Sequence, residues 1–270
     1  MPSQLTAPDF GLLYEPDRLF ELFPGRAADT QSVANLQHTG NANPAAAVAE
    51  LGTKPDVGMT ITQKTVSFTK IAALATFSRE LLDDHASFMG FVAAELQGAV
   101  IDAETDQIVN GDGTGASMTE ILHTSGVLTR AKSTDSYLDA VVKGINDLRV
   151  GSAYATADLV AMHPSTWTLL RTQKDSQGRY LLQINADDVG GVVGVFGVPV
   201  LVNAKIPAGT ALVFDTTKAV QAWARLGLEL MTNQFADTEW QTNAVSFRAE
   251  ERIAIGVVRP TAICTVTGLT

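Results

Sequence analysis

Residues 78–110 read SRELLDDHASFMGFVAAELQGAVIDAETDQIVN and contain no proline. Apolar side chains recur through this stretch at three- and four-residue steps, chiefly at Leu82, Met89, Ala93, Leu96, Val100 and Ala103. The spacing predicts one long amphipathic helix. Ser78 is placed to cap its start, and Asn110-Gly111 predicts a left-handed stop. At 1.5 Å per residue such a helix would span roughly 50 Å, so we expect a spine on which other elements pack.

Two glycines, Gly90 and Gly98, fall on one side of this predicted helix with Ala94 between them. Each glycine costs a helix about 1 kcal/mol relative to alanine. Two interpretations stay open. Either another backbone crosses the helix closely at Gly90 and Gly98, or the helix tolerates both.

Composition excludes several classes of protein. The chain has 270 residues, of which 46% are hydrophobic, enough to form a large core. Its net charge of -10 disfavours groove-tracking contacts with nucleic acid. The single cysteine, Cys264, excludes an internal disulfide framework, argues against structural zinc, and is predicted to be buried and inert. The sequence has no apolar run long enough to cross a membrane and no signal-peptide pattern, so we expect synthesis in the cytoplasm.

Acidic residues dominate the region between Glu80 and Thr129, which contains nine of them and neither lysine nor arginine. Three interpretations of this charge are open: an ordinary solvated face, a surface for a basic partner, or a wall that does not adhere to polyanions.

Residues 1–29 are predicted to form an extended arm, because prolines recur through them at wide spacing. The arm carries an apolar patch that includes Leu19, Phe20 and Phe23. Exposed apolar side chains on an isolated arm are unfavourable in water, so the patch should pack on its own or another subunit. We assign these three residues to contacts between subunits.

Residues 30–77 are predicted to form a long β-hairpin. Strand-like runs at 32–38 and 59–77 flank a segment rich in small residues, glycine and proline, which lacks the material for a core. We expect the tip of this hairpin to be ordered by contact with something else. Asn41, Lys54 and Lys64 are its candidate intersubunit residues.

The remainder mixes helices and strands that are grouped rather than alternating, which indicates an α+β fold. Helices are predicted at 135–150 and 164–173, and strands at 158–162, 192–203, 210–215, 219–225, 228–233, 243–258 and 261–267. The glycine-rich loop at 111–115 lacks the lysine and the preceding strand of a phosphate-binding loop.

Nothing in the sequence selects an enzyme. Four histidines are scattered without ligand spacing, and neither HExxH nor GxSxG occurs. We therefore predict no catalytic site, cofactor or metal. The alternative of a soluble α+β enzyme would require a pocket lined by perturbed carboxylates.

Several segments, in order, resemble one family. They are FSRELLDD at 77–84, NGDGTG at 110–115 with Ile121-Leu122, MHPSTW at 162–167 with KDSQGRY at 174–180, FGVPV at 196–200 with PAG at 207–209, and FRAEER at 247–252 leading to Val258-Arg259-Pro260. Together they are similar to the major capsid protein of tailed double-stranded DNA phages, with the Hong Kong 97 type of fold.

The resemblance implies an N-terminal arm at 1–29, an extended loop at 30–77, and a P-domain spine helix with its glycine-rich loop at 78–134. It also implies that residues 135–235 are mainly the axial A-domain and that residues 236–270 are strands returning to the P-domain. Copies would form the pentamers and hexamers of an icosahedral shell in the virion, made in the host bacterial cytoplasm.

The implied partners are packaged double-stranded DNA without sequence-specific contacts, a portal vertex, decoration or minor capsid proteins, and a separate scaffolding protein or none. Some members join a loop lysine to a neighbour's asparagine, but Lys54 and Lys64 have no recognisable asparagine partner here. We expect the acidic face of the spine to line the lumen, since it would repel DNA. The alternative within this fold is an encapsulin-like compartment that encloses cargo enzymes.

Overall fold

The computed structural model describes residues 18–41, 45–84, 86–119, 121–122, 124–182, 194–235 and 237–270. The strands in these ranges are β1 (Gly25–Ala27), β2 (Ser32–Asn41), β3 (Met59–Ser67), β4 (Thr69–Ser78), β5 (Leu128–Ala131), β6 (Leu159–Met162), β7 (Gly194–Val195), β8 (Val198–Val202), β9 (Thr210–Phe214), β10 (Val220–Asn233), β11 (Ala244–Val257) and β12 (Ile263–Thr267). The α-helices are α1 (Arg79–Asp84), α2 (Ala86–Asn110), α3 (Tyr137–Val150), α4 (Pro164–Arg171), α5 (Thr216–Ala219) and α6 (Asp237–Thr242). The α+β class is confirmed.

One half of the molecule is a four-stranded sheet in the order β1-β10-β11-β4, with α2 packed against it. Apolar side chains of α2 and β11 fill the space between them, namely Val92, Leu96, Val100, Phe247, Ala249 and Ile253. Removing such side chains from water supplies the main driving force for packing the helix on the sheet.

The other half is a six-stranded sheet in the order β5-β12-β9-β6-β8-β7. Helix α3 packs on it so closely that a Cβ atom on Gly144 would lie 2.6 Å from Val266 Cγ2. Its start is capped by Ser136, whose hydroxyl accepts a hydrogen bond from the backbone N–H of Asp139 at 3.1 Å. The predicted helix at 135–150 is confirmed to within two residues.

The β10–β11 ribbon belongs to both halves. Val220 and Ala222 at its start lie in the core of the six-stranded half, whereas Phe247 and Ile253 lie in the core against α2. Its register shifts on either side of Leu226, within the part of the ribbon that packs against α2. The predicted domain boundary at 235/236 therefore does not follow the sheets: β10 joins the α2 half, and β12 joins the six-stranded sheet.

The spine begins and ends where the sequence predicts, with residue 85 outside the described ranges. Ser78 Oγ accepts a hydrogen bond from Leu81 N at 3.4 Å, as expected of a cap. The left-handed stop at Asn110-Gly111 is wrong, because neither residue has a positive φ. Gly111 is instead required by space, since a Cβ atom there would lie 2.6 Å from the carbonyl oxygens of both Gln107 and Met118.

The buried face of α2 differs from the predicted stripe. It follows four-residue steps through Val92, Leu96, Val100, Glu104 and Ile108, whereas the predicted Met89 and Ala103 are exposed. The close crossing at Gly90 is not made within this chain, because a Cβ atom there would meet nothing within 4 Å in the described structure. Gly98 is half-buried, and a crossing by another subunit at these glycines stays a prediction.

Two strand predictions need correction. The run at 59–77 is two strands: β3 pairs with β2, whereas β4 leaves at Phe68 and pairs with β11. The runs at 219–225 and 228–233 are one strand, β10. Its pairing with β11 continues past Gly227 by means of register shifts on either side of Leu226, so this glycine does not end the strand.

Candidate self-association surfaces

The hairpin formed by β2 and β3 presents two different faces. On the outer face Leu36 and Ile61 are 61% and 53% exposed. Cross-strand pairing of His38 with Ile61 and of Leu36 with Gln63 places both apolar side chains on that same face. On the opposite face Asn35 and Gln37 are buried. They lie toward the root of the hairpin, the end at which Ser32 pairs with Ser67. The root is therefore attached to the body, and the outer apolar face lacks cover within the described chain.

The candidate residues of the hairpin are surface features. Lys54 and Lys64 are exposed, and Lys64 pairs in the ladder with Asn35. Asn41 ends β2, and its side chain lies outside the described structure. The structure does not bring these three residues together into one site, and their contact with a neighbouring subunit stays a prediction.

The apolar patch of the predicted arm is held by its own subunit. Leu19 and Phe23 are buried, and the Phe23 ring meets the Phe214 ring edge-on with centroids 6.0 Å apart. Phe20 is half-buried beneath the Arg18 guanidinium. The assignment of Leu19 and Phe23 to contacts between subunits is therefore wrong, because the chain's own body already covers their side chains.

An aromatic tip between β10 and β11 was missed by sequence reasoning. The rings of Phe235 and Trp240 stack with centroids 6.5 Å apart, yet the residues are 73% and 72% exposed. An open groove of about 370 Å³ lies beside them, between the tip and the start of the spine; its lining includes Arg79, Leu82, Met89 and Val245. The sequence feature that could have predicted this tip is the pair of large aromatic residues between two strand-like runs.

The acidic residues of the spine do not form one free face. Asp102 pairs with Lys205 at 2.8 Å, so a cation from outside the stretch neutralises it. Glu104 is fully buried and pairs with Arg18, which also contacts Glu251. Burial, and then the charge and hydrogen bonding of Glu104, raise the pKa of Glu251 to about 8, although Arg18 opposes this shift.

The described residues offer little for catalysis. No cluster of three or more His, Cys, Asp or Glu side chains among them could hold a metal ion. Cys264 is buried, and burial raises the pKa of its thiol to about 12. His163 caps α4 by accepting a hydrogen bond from Ser165 N at 3.1 Å; the side chains of His38, His85 and His123 lie outside the described structure. Within the same ranges no helix is long and apolar enough to span a bilayer.

Comparisons with known proteins point in one direction. The sequence model of the Phage capsid family matches residues 19–268. The major capsid protein of Enterobacteria phage HK97 is 26% identical over 227 residues, covering 82% of this chain and 57% of that protein. The chain thus spans little more than half the length of this curated relative.

Solved structures share the fold. The capsid of a native GTA particle superposes with a TM-score of 0.79 at 21% identity, over 99% of this chain and 95% of that one. A virus-like particle from Pyrococcus furiosus gives a TM-score of 0.63 at 15% identity, over 93% and 92% of the two chains. At these identities the likeness shows a common fold and nothing finer.

Proposed function

From the premise that this chain belongs to the phage capsid family, we propose that it is the subunit of an icosahedral shell built from pentamers and hexamers around double-stranded DNA. The observation that carries the proposal is the family match, which extends over nearly the whole chain. The relatives are structural capsid proteins rather than enzymes.

The β2–β3 hairpin is the proposed clamp between neighbouring copies. Its outer face exposes Leu36 and Ile61 in water, and Met59 near the tip is also more than half exposed. Fully burying side chains of this size contributes about 1.5–3 kcal/mol each. In a shell each subunit is surrounded by other copies of itself, so the proposed cover for this apolar face is a neighbouring copy. Lys54, between the two strands, and Lys64, exposed on the face of Asn35, are proposed to contact neighbouring copies as well.

The aromatic tip is a second proposed contact between copies. Tryptophan is among the residues that dominate binding energy at protein interfaces. The Phe235–Trp240 pair and the groove beside Arg79 lie next to each other on one copy. We therefore propose that the aromatic tip of one copy enters the groove of the next, which makes a head-to-tail contact that every further copy can repeat. Such contacts close into rings when the rotation between copies permits.

The two halves of the fold support an assignment of roles. The four-stranded sheet with α2 is the proposed P-domain, and the six-stranded sheet with α3 and α4 is the proposed A-domain. Glu80, Asp83 and Asp84 lie at the start of the spine, and all three are exposed. We assign these exposed acids to the lumen, where they would repel packed DNA. A density map that places them on the outside of the shell would refute this assignment.

The proposed partners beyond other copies are a portal vertex, a separate scaffolding protein or none, and decoration or minor capsid proteins. The subunit would be made in the cytoplasm of a host bacterium and would reside in the virion. The encapsulin-like alternative is not favoured, because the sequence relative is a phage major capsid protein.

Electron microscopy of the purified full chain tests the proposal. Closed particles tens of nanometres wide are expected. A variant lacking residues 41–54 should keep the melting temperature of the unassembled subunit, because that segment adds little to either core, while forming few or no shells. Shells at normal yield from this variant would rule out the clamp, whereas a monomer from the unaltered chain at high concentration would rule out the shell itself.

A further inference from the structure

A buried charge cluster joins three distant parts of the chain. Arg18 donates from Nε to Glu104 Oε2 at 2.9 Å, and from Nη2 to Glu251 Oε2 at 2.9 Å. The same Nη2 also lies 2.5 Å from Glu104 Oε2, so this one nitrogen donates to both carboxyl groups. Both glutamate side chains are fully buried, and the Arg18 side chain is 20% exposed. The cluster thereby ties the segment ahead of β1 to α2 and β11.

The charges in this cluster do not balance. Two ionised carboxylates facing one guanidinium would leave a net negative charge in a site closed to water, which is costly. In addition, Glu251 Oε1 is buried and receives no hydrogen bond from any described residue. One proton on the carboxyl pair would remove both problems, since it neutralises the excess charge and makes Glu251 a donor to Glu104.

The other charged groups on these elements are paired with residues outside the cluster, act on such residues, or are exposed to solvent. On β11, Glu250 pairs with Lys70 at 2.8 Å and with Arg248 at 3.3 Å, and the charge of Arg252 also acts on Glu250. On the Arg18 segment, Glu21 reaches Arg18 Nη1 at 3.3 Å, but its side chain is 68% exposed and screened by solvent. On α2, Asp102 pairs with Lys205. The buried groups that must share the proton are therefore Glu104 and Glu251.

We propose that these three residues form a proton-operated latch: a proton shared by Glu104 and Glu251 lets Arg18 hold the segment 18–24 on α2 and β11, and loss of that proton at mildly alkaline pH releases the segment. The inference rests on the geometry of the single chain and does not depend on the proposed function. In a shell subunit it would make the attachment of the N-terminal segment sensitive to pH.

The direction of the pH effect follows from the two states of Glu251. The folded chain keeps its proton up to about pH 8, because burial and the neighbouring Glu104 raise its pKa, whereas an unfolded chain loses it near the ordinary value of 4.5. Stability from this group is thus complete below pH 4.5 and is lost progressively as the pH rises to about 8. Above that pH the folded site carries the unbalanced charge.

Hydrogen exchange of the full chain between pH 6.5 and 9.5, corrected for intrinsic rates, tests the latch. The reporting amides are Phe23 N, which donates to Phe20 O, and Ala28 N, which donates to Ala224 O. Their protection should fall at least tenfold between pH 6.5 and about pH 8 and level off above that pH, while protection of β12 stays constant. Unchanged protection of Phe23 and Ala28 across the range would overturn the proposal.

Three variants separate the latch from general loss of structure. Glu251→Gln mimics the protonated side chain, so protection should persist to pH 9.5. Glu104→Gln leaves one carboxyl for one guanidinium and should also remove the pH dependence of protection, which keeps the test valid if the first variant does not fold. Glu21→Gln is the exposed control and should behave as the unaltered chain. A fall in protection up to pH 8 that survives in either buried variant, or disappears in Glu21→Gln, would overturn the assignment.

Discussion

The side chain of Asn35 donates from Nδ2 to the backbone oxygen of Val257 at 3.3 Å, across 222 positions of sequence. This contact anchors the root of the β2–β3 hairpin to the end of β11. The neighbouring residue Gly256 leaves the necessary room, since a Cβ atom there would lie 2.8 Å from Asn35 Nδ2 and 2.9 Å from Trp223 Cζ3. The direction in which the hairpin projects thus depends on the glycine at position 256 of β11, which has no side chain.

Gly256→Ala should destabilise the subunit by about 1–3 kcal/mol, because the added methyl group overpacks a filled site. Urea unfolding of the unassembled subunit measures the change. Gly227→Ala is the matched control in the adjacent strand, where a Cβ atom meets nothing within 4 Å of the described structure; its effect should stay within about 0.5 kcal/mol. Equal effects for the two variants would mean that the hairpin root is not tightly packed.

Phe23→Ala should cost about 3–5 kcal/mol of stability in the unassembled subunit, because it empties a buried site against Phe214. Leu22→Ala, one residue earlier and 41% exposed, should change stability by about 0.5 kcal/mol. Thermal or urea unfolding distinguishes them. A small effect at Phe23 would indicate that this segment packs on another subunit rather than its own.

Leu36→Ser with Ile61→Ser should leave the stability of the unassembled subunit within about 0.5 kcal/mol, because both residues are more than half exposed. Assembly should weaken more than tenfold per contact, since each lost burial removes about 1.5–3 kcal/mol. Sedimentation velocity reports both species. Gln63→Ser on the same face is the polar control, and normal assembly of the double variant would exclude this face from the interface.

Cys264 should resist alkylation by iodoacetamide in the native subunit at pH 8. Its thiol is buried and its pKa is raised to about 12, chiefly by burial, so almost none of it is the reactive thiolate. Mass spectrometry should find the label only after denaturation. Stoichiometric labelling of the native chain within minutes would show that the six-stranded core opens readily.

Local patterns made part of this fold predictable. The apolar spacing within residues 135–150 predicts α3 to within two residues, because a helix depends on neighbours three and four positions apart. Short strands such as β1 and β5 gave no signal of that kind, because each is set by a partner far away in sequence. Gly227 was read as a strand break for the same reason: only the register with β11 shows that β10 continues past it.

The charge cluster shows where sequence reasoning stopped. Arg18 and Glu251 lie 233 positions apart, so no spacing rule connects them. A signal was nevertheless present in α2, because four-residue steps through Val92, Leu96, Val100 and Ile108 pass through Glu104. A carboxylate at a core position predicts a buried cation or proton. The hairpin, by contrast, was predictable because its composition cannot build a core.

The ribbon formed by β10 and β11 has a mechanical consequence. Because it runs without interruption through both hydrophobic cores, the two halves of the subunit share a hydrogen-bonded ladder instead of a flexible linker. Relative motion of the halves would therefore twist this ribbon where it passes from one core to the other, between Ala222 and Ala224 on β10. A shell that changed its curvature would strain every subunit at that same point.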